Sequence, residues 1–401
     1  MPGPHDSPDD LAHLGRGWDE PPAATDAVPA DGAGDTARAA RRRQGAAVAV
    51  GALVVAAALV AITLPDTDEA ARDRDDRPTV PSSRPPPSDY VQQSSATLIA
   101  DPQSRVRDIG IADDGTVAAV WEYRDRTSQA LAVDHPDGST YVTDPLQPLL
   151  SLTPAPGGLL TLRDYYSTVG LLRPYGGISP ITVDDAPVEP EPGDVAVDLG
   201  TGPRIFRPEE ATVYGLPALR GASARAGYVT PEGALVVATA AEGGQTAGTV
   251  VWRDGAWDLS RRGRGPTTSP GLVAGNGDSV AVVSSGDQEG GQPDPVALVL
   301  VSHDGGRRWR EVPVRADVSG STSTVAVADD GTVLLADDEG HVTAVRRDGA
   351  WVRLAAAPAV QQLQSVGGRV WGLGRSGGRG PLWWTDDAGA TWHRAPLPGL
   401  H

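Results

Sequence analysis

Two copies of one polar and aromatic pattern contain the residues of this sequence whose types and spacing best suit defined chemistry. Both copies read Ser/Thr-x-Asp-x-Gly-x-x-Trp, and they occupy residues 302–309 and 385–392. The aspartate can accept backbone N–H groups within its own turn, the glycine can take the left-handed corner, and the tryptophan can bury its ring. This chemistry stabilises a fold and transforms no substrate. The eight pattern residues are Ser302, Asp304, Gly306, Trp309, Thr385, Asp387, Gly389 and Trp392.

Metal and thiol chemistry have little support in the sequence. The chain has no cysteine, which excludes disulfides, cysteine-ligated zinc and thiol catalysis. Its seven histidines are scattered, and no two have the spacing of metal ligands on a helix or a hairpin. We therefore expect neither a metal nor a cofactor.

Familiar catalytic signatures are also missing from the sequence. It has no Gly-x-Ser-x-Gly elbow between a strand and a helix, no Walker loop and no His-Glu-x-x-His helix. The Asp-Asp pairs at 113/114, 329/330 and 337/338 are predicted as turn residues in preference to acid–base couples. Trp383 and Trp384 adjoin on a predicted strand, so one ring faces each side. A core ring and a rim ring are favoured, and a sugar-binding platform is the alternative.

The elements that position these residues follow a repeat. Each copy is a short alternating apolar strand, a tight turn ending in glycine and a second strand, which predicts a β-hairpin. The mean spacing of the copies is about 42 residues, the length of one four-stranded propeller blade. The sequence therefore predicts an all-β, seven-bladed β-propeller over residues 96–401, with six blades as the alternative because the third copy is weakest. The turn glycines are Gly115, Gly157, Gly200, Gly233, Gly277, Gly331 and Gly368.

The tryptophan pattern is in phase with the hairpins. Trp309, Trp351 and Trp392 lie 42 and then 41 residues apart, and reduced copies of the pattern occur at 253–257 and 347–351. The full pattern resembles the Asp-box of BNR-repeat propellers, which include sialidase-like, sortilin-like and photosystem-assembly-factor-like proteins. In these families the box lies at the rim of the outer hairpin, away from the axial pocket. The resemblance therefore implies a folding role for Asp304 and Asp387.

The first predicted blade also resembles the opening of an exo-sialidase. There an arginine of an Arg-Ile-Pro motif and a second arginine nineteen residues later face the pocket, and Arg105 and Arg124 have this spacing. The resemblance implies that Arg105 clamps a substrate carboxylate, that Arg124 assists and that Asp125 is a candidate acid. The chain departs from the pattern because Arg107 stands in place of the proline, and no motif marks the remaining arginines or a Tyr/Glu pair.

A membrane anchor is predicted ahead of the propeller. Residues 45–64 form an uncharged run of twenty residues, which as a helix would span about 30 Å. Arginines 41–43 adjoin its amino-terminal end and acidic residues follow it, so we expect the amino terminus in the cytoplasm and the propeller outside the plasma membrane. A cleaved signal peptide is the alternative. Residues 1–44 are predicted as a disordered acidic tail and residues 65–95 as a Pro/Asp-rich stalk.

Composition limits the partners of the chain. The net charge of −18, with no clustered basic footprint, argues against nucleic-acid binding. Propellers present convergent loops at the ends of their axis and need no catalytic residues to bind a ligand. We therefore expect a non-catalytic domain that binds a protein, a peptide or a cell-envelope glycan, with a sialidase-like exo-glycosidase as the alternative.

Overall fold

The computed structural model describes most of the chain after residue 94. The predicted tail, the predicted membrane segment and residues 65–94 of the predicted stalk lie outside the described residues. Within the described part, no helix is long and apolar enough to cross a membrane. The described ranges are 95–123, 128–143, 149–163, 168–173, 177–199, 202–219, 222–241, 247–258, 271–286, 296–315, 322–375 and 379–400.

These residues form one short helix, α1 (Ser95–Ala100), and 28 strands. The strands are β1 (Arg105–Ile111), β2 (Val117–Glu122), β3 (Gln129–Asp134), β4 (Thr140–Thr143), β5 (Leu149–Ala155), β6 (Gly158–Arg163), β7 (Thr168–Leu172), β8 (Ile178–Pro180), β9 (Thr182–Pro187), β10 (Val195–Asp198), β11 (Pro203–Arg207), β12 (Thr212–Gly215), β13 (Ala222–Val229), β14 (Leu235–Ala241), β15 (Ala247–Arg253), β16 (Ala256–Asp258), β17 (Leu272–Asn276), β18 (Ser279–Ser285), β19 (Val296–Ser302), β20 (Arg310–Val312), β21 (Thr322–Val327), β22 (Val333–Asp337), β23 (Val342–Val345), β24 (Trp351–Arg353), β25 (Val360–Val366), β26 (Arg369–Gly374), β27 (Leu382–Thr385) and β28 (His393–Ala395).

The strands build seven four-stranded sheets, so the chain is a seven-bladed β-propeller and the six-blade alternative is wrong. Six blades are simple meanders of four consecutive strands, beginning with β1-β2-β3-β4. The predicted hairpins join the first and second strands of the blades, and Gly200 alone of their seven turn glycines lies outside the described residues. Gly115 and Gly331 have φ angles of 86° and 83°, which explains the need for glycine in these turns.

The third blade departs from this plan. Its order is β10-β11-β12-β9, and β9 pairs with β12 in parallel. The chain enters this blade from the outside, because only Ile181 separates β9 from β8 of the second blade. Gly202, which follows β10, lies against Ala224 near the start of β13, and Gly233, which follows β13, lies against Pro192 just before β10. The inner strand β10 therefore runs antiparallel to its neighbour β13. The first hairpin of blade 3 therefore turns at the opposite end of the axis from that of blade 4.

The hydrophobic core lies between adjacent blades. Between blades 5 and 6, for example, Val299, Val327, Val333 and Val345 are at most 1% exposed and belong to one cluster. Both faces of a blade are covered in this way, which is why the second strands are mainly apolar, as in β2, where Glu122 at the end is the one charged residue.

Polar side chains join the inner strands of neighbouring blades. The Gln362 amide donates to the Ile109 carbonyl (3.1 Å), and the Asp108 carboxylate accepts from the Leu152 N–H (2.6 Å). Both side chains follow a β-bulge near the start of their strand, at Val360/Gln362 and at Val106/Asp108. A bulge redirects the side chain that follows it, which here points toward the next blade.

The ring closes without a shared strand, because blades 7 and 1 each contain four strands of their own. Helix α1 and the carboxy-terminal residues fill the seam between them, where Leu98, Ile99 and Leu397 are 2%, 2% and 4% exposed. The Trp121 indole donates to the Pro398 carbonyl across this seam (3.0 Å).

Candidate functional site

The candidate site lies where the inner strand of blade 1 begins. Arg105 at the start of β1 pairs with Glu122 at the end of β2, so both lie at the same end of the propeller. We call this end the entry face. The opposite end, where the hairpin turn at Gly115 lies, is called the box face because the Ser/Thr-x-Asp-x-Gly-x-x-Trp turns lie there, as the bond from the Gly305 N–H to the Asp278 carbonyl of the hairpin turn in blade 5 shows.

A buried carboxylate at the entry face is flanked by two arginines. The Glu122 side chain is only 4% exposed, and its two oxygens lie 3.6 Å from an Arg105 nitrogen and 3.9 Å from an Arg107 nitrogen. A buried carboxylate needs such compensation, because leaving water costs a charge several kcal/mol. The arginine side chains are 43% and 31% exposed, and these distances exceed hydrogen-bond length. Guanidinium N–H donors therefore remain available to a ligand.

Asp108 continues this polar cluster toward the neighbouring blades. It accepts from the Leu152 N–H of blade 2 and is hydrogen-bonded by Gln362 of blade 7. Burial raises the pKa of Asp108 to about 6, against the opposing effects of the Leu152 N–H and of the Arg107 charge. The Asp108 carboxyl group therefore ionises at a higher pH than an ordinary aspartate.

The sialidase-like candidates are only partly placed. Arg105 lies on the entry face, where Glu122 of its own chain already engages it. Arg124 and Asp125 lie outside the described residues. Sequence reasoning missed Glu122, Arg107 and Asp108. The charge that ends the apolar strand VAAVWE was a usable signal for Glu122, whereas the bulge that places the other two has no local signature.

The first full copy of the Ser/Thr-x-Asp-x-Gly-x-x-Trp pattern, called the first box below, forms the turn between β19 and β20. The Ser302 hydroxyl accepts from the Gly306 N–H (2.8 Å) and donates to the Asp304 carboxylate (2.9 Å). Asp304 also accepts from the Arg308 N–H (2.8 Å), and the Trp309 indole donates to the Gly306 carbonyl (3.0 Å). Burial opposes ionisation, but the bonds from Arg308 and Ser302 outweigh it and hold the pKa of Asp304 below its ordinary value.

The second box, between β27 and β28, has the same geometry. The Thr385 hydroxyl accepts from the Gly389 N–H (2.9 Å), and Asp387 accepts from the Thr391 N–H (2.8 Å). The Trp392 indole donates to the Gly389 carbonyl (3.1 Å). The bonds from Thr391 lower the pKa of Asp387. In both boxes the aspartate oxygens serve their own turn.

The boxes hold their tryptophans between blades and form no metal centre. Trp309 packs among residues of blades 4 and 5, and Trp392 packs against the cluster between blades 6 and 7. Over the described ranges, no group of three or more histidine, aspartate or glutamate side chains is arranged to hold a metal ion.

Trp384 has no free ring face for a sugar. The His393 ring stacks on it at 4.2 Å between centroids, and the Arg369 guanidinium carbon lies 4.2 Å from its ring centroid. Arg369 comes from β26 and His393 from β28, which flank β27 on opposite sides, so they cover opposite faces of the indole. Trp383 packs on the other side of the sheet, against the cluster between blades 6 and 7.

Comparisons with known proteins add likenesses of fold. No protein-family model matches the sequence, and no curated protein matches it. The β-propeller domain of the Trilobed protease from Pyrococcus furiosus is similar at a TM-score of 0.47 and 12% identity, covering 73% of this chain and 95% of that chain. Acylaminoacyl peptidase from Pyrococcus horikoshii gives 0.45 and 10%, covering 74% and 52%.

YCF48 bound to D1 peptide gives a TM-score of 0.26 and 18% identity, covering 40% of this chain and 50% of that chain. Values of this size assign no activity, ligand or partner to this protein, and membership of the BNR-repeat family stays a prediction. The β-propeller fold itself rests on the seven four-stranded sheets.

Proposed function

We propose that this protein is a membrane-anchored, extracytoplasmic β-propeller that binds a protein, peptide or cell-envelope glycan through its entry face, without catalysis. The observation that carries the proposal is the pair of partly exposed arginines, Arg105 and Arg107, that lie within 4 Å of the buried Glu122. A guanidinium group recognises a carboxylate through two parallel hydrogen bonds. The ligand chemistry we propose is therefore a carboxylate-bearing peptide or glycan.

The state of the local carboxylates favours binding over glycoside hydrolysis. A glycosidase of the usual kind needs two carboxyl groups that reach the scissile bond, whereas a sialidase-like enzyme uses a Tyr/Glu pair as the nucleophile and still needs a carboxyl group there as the acid. Glu122 lies buried beneath its arginines, and Asp108 is bonded to the backbone of blade 2. Sialidase-like hydrolysis is the second candidate, because Arg105 does lie at an axial end of the propeller.

The binding proposal is tested on the full-length chain in detergent, with a panel of acidic peptides and carboxylate-bearing envelope glycans and with a fluorogenic sialoside. We expect a carboxylate probe to bind, Arg105→Ala to weaken it about tenfold or more, and the sialoside to remain intact. Arg308→Ala on the box face is the matched control and should leave binding unchanged. Arg105→Lys keeps the charge over Glu122, so it separates lost recognition from lost folding.

Two results would reject the proposal. Sialoside turnover that disappears in Arg105→Ala would identify a glycosidase. Probe binding that is indifferent to both Arg105→Ala and Arg107→Ala would remove the entry face as the site.

Anchoring and orientation rest on the sequence of residues 45–64 and need their own test. An alkaline phosphatase fused after residue 401 should be active, because this reporter matures only outside the cytoplasm, and carbonate washing should leave the fusion in the membrane fraction. Deletion of residues 45–64 should abolish both results. An inactive fusion would reverse the orientation, and release by carbonate would rule out a spanning helix.

A further inference from the structure

A cavity of about 490 Å³ opens on the box face between blades 6 and 7. It lies beside the second box, well away from the entry-face arginines. Its lining includes Asp330, Thr332, Ala344, Arg346, Asp387 and Ala390.

The junction between blades 4 and 5 is built from equivalent positions. Strand pairing matches Val236 with Val251 in blade 4 and Leu334 with Ala344 in blade 6, so Ala344 is the counterpart of Val251. The glycines of the two boxes confirm the match, because Gly306 lies against Val236 and Gly389 lies against Leu334.

The remaining counterparts follow from the same alignment. Glu232 and Asp330 each precede the hairpin glycine of their blade, and Arg307 and Ala390 are each the third residue after the box aspartate. Two junctions of one ring can therefore be compared position by position.

The junction between blades 4 and 5 is bridged at its surface by an ion pair, whose Arg307 and Glu232 side chains are each 52% exposed. The Arg307 side chain donates to the Glu232 carboxylate, and Arg253 donates to the Gly305 carbonyl of the box. At the junction between blades 6 and 7, three side chains are shorter than their counterparts at the junction between blades 4 and 5. Asp330 replaces Glu232, Ala344 replaces Val251 and Ala390 replaces Arg307. The cavity thus lies where the other junction holds an arginine.

The carboxylate that would receive this arginine is still present. Asp330 accepts from the Thr332 N–H (2.8 Å) and from the Thr332 hydroxyl (3.0 Å), two donors of its own turn. A carboxylate can accept about four hydrogen bonds, so acceptor sites remain. With Asp348 and Asp387, Asp330 makes three carboxylates on the lining, one more than the two guanidinium groups of Arg346 and Arg347.

We propose that this cavity binds an arginine side chain supplied by a partner protein, with its guanidinium group paired to Asp330 as Arg307 is paired to Glu232. Arginine suits the site better than lysine, because its planar group forms two parallel hydrogen bonds to a carboxylate. The site is separate from the entry face, so it stands or falls independently of the function proposed above.

The test is a calorimetric titration of the full-length chain with N-acetyl-arginine methylamide. We expect one site per chain with a dissociation constant on the order of 1 mM, as suits a single side chain. The citrulline analogue has the same shape without the charge and should bind at least about tenfold more weakly, because a charged hydrogen bond is lost. N-acetyl-glutamate methylamide should not bind.

Three variants locate the site. Ala390→Arg should fill the cavity and abolish probe binding, and Asp330→Asn should weaken binding about tenfold or more. Arg307→Ala should open the equivalent junction between blades 4 and 5 and raise the stoichiometry from one to two. Arg105→Ala should change nothing, which separates this site from the entry face.

Four results would contradict the proposal of an arginine site. Equal binding of arginine and citrulline, binding of the glutamate probe alone, or no binding of the arginine probe at 20-fold above about 1 mM would overturn the proposal. So would unchanged binding in an Ala390→Arg variant whose thermal unfolding matches the wild type.

Discussion

At the residue scale, Asp108 links the charge of one side chain to the contacts among three blades. It lies on the inner strand of blade 1, bonded to the backbone of blade 2 and to Gln362 of blade 7. The Leu152 N–H and the Gln362 side chain can bond to a neutral carboxyl group as well as to a carboxylate. Burial, by contrast, raises the free energy of the ionised form of Asp108. The stability of this junction should therefore depend on pH.

Asp108→Asn is predicted to remove this pH dependence. The pKa of Asp108 rises from 3.8 to about 6 in the folded protein, so the folded state binds more protons than the unfolded state between these values. Stability consequently falls as pH rises through this window, by at most about 3 kcal/mol. The variant keeps an oxygen that accepts from the Leu152 N–H. Its melting temperature should therefore rise relative to that of the wild type as pH increases from 4 to 7. Parallel pH curves for the two proteins would contradict the prediction.

At the element scale, the turns formed by the two copies of the Ser/Thr-x-Asp-x-Gly-x-x-Trp pattern stabilise an outer hairpin and position a tryptophan between blades. Each aspartate accepts a backbone N–H four residues ahead, and each box hydroxyl accepts the N–H of the left-handed glycine. Because the boxes belong to blades 5 and 7, they share no contacts and should act independently.

Asp304→Ala and Asp387→Ala are each predicted to destabilise the protein by about 1–3 kcal/mol, because each leaves backbone donors without their acceptor. The costs should add within about 0.5 kcal/mol in the double variant. Urea unfolding followed by tryptophan fluorescence measures all three. Asp386→Ala, an exposed neighbour of the second box, is the control and should change little. A marked departure from additivity would mean that the two boxes communicate.

The secondary-structure elements also differ in how well the sequence predicts them. The hairpins were predictable because a glycine with positive φ between two alternating strands is a local signal, as at Gly115. The parallel pairing of Thr182 with Thr212 and the reversed third blade were not, because they depend on partners thirty residues apart. For the site, Arg105 was found through its spacing, whereas Glu122 and Asp108 required the bulge and the neighbouring blades to be known.

At the scale of the whole molecule, the seam between blades 7 and 1 closes the ring. Other propellers can share a strand between the first and last blades, but here the seam relies on apolar burial and a few hydrogen bonds from side chains. Gln362 and Gln364 of blade 7 donate to and accept from the backbone of β1, at Ile109 and Ile111. Such a seam depends on its carboxy-terminal residues.

Deletion of residues 397–401 is predicted to lower the free energy of unfolding by about 2–5 kcal/mol, since it exposes the pocket of Leu397 and removes the acceptor of the Trp121 indole. Thermal unfolding of the full-length and shortened chains measures the change. Deletion of residues 400–401 alone is the control, because Leu400 is 39% exposed. Equal melting temperatures for all three chains would show that the tail does not hold the seam.

Helix α1 determines how this seam responds to force applied through the chain. Any force transmitted along the chain that precedes Ser95 reaches the propeller first at α1, which is wedged between the first and last blades. Pulling on the amino-terminal side would therefore apply force to the seam between blades 7 and 1. This is the one junction whose two blades are not consecutive in the chain. Under tension, this propeller should open at the seam first and uncoil blade by blade from blade 1, while its remaining blades stay stacked.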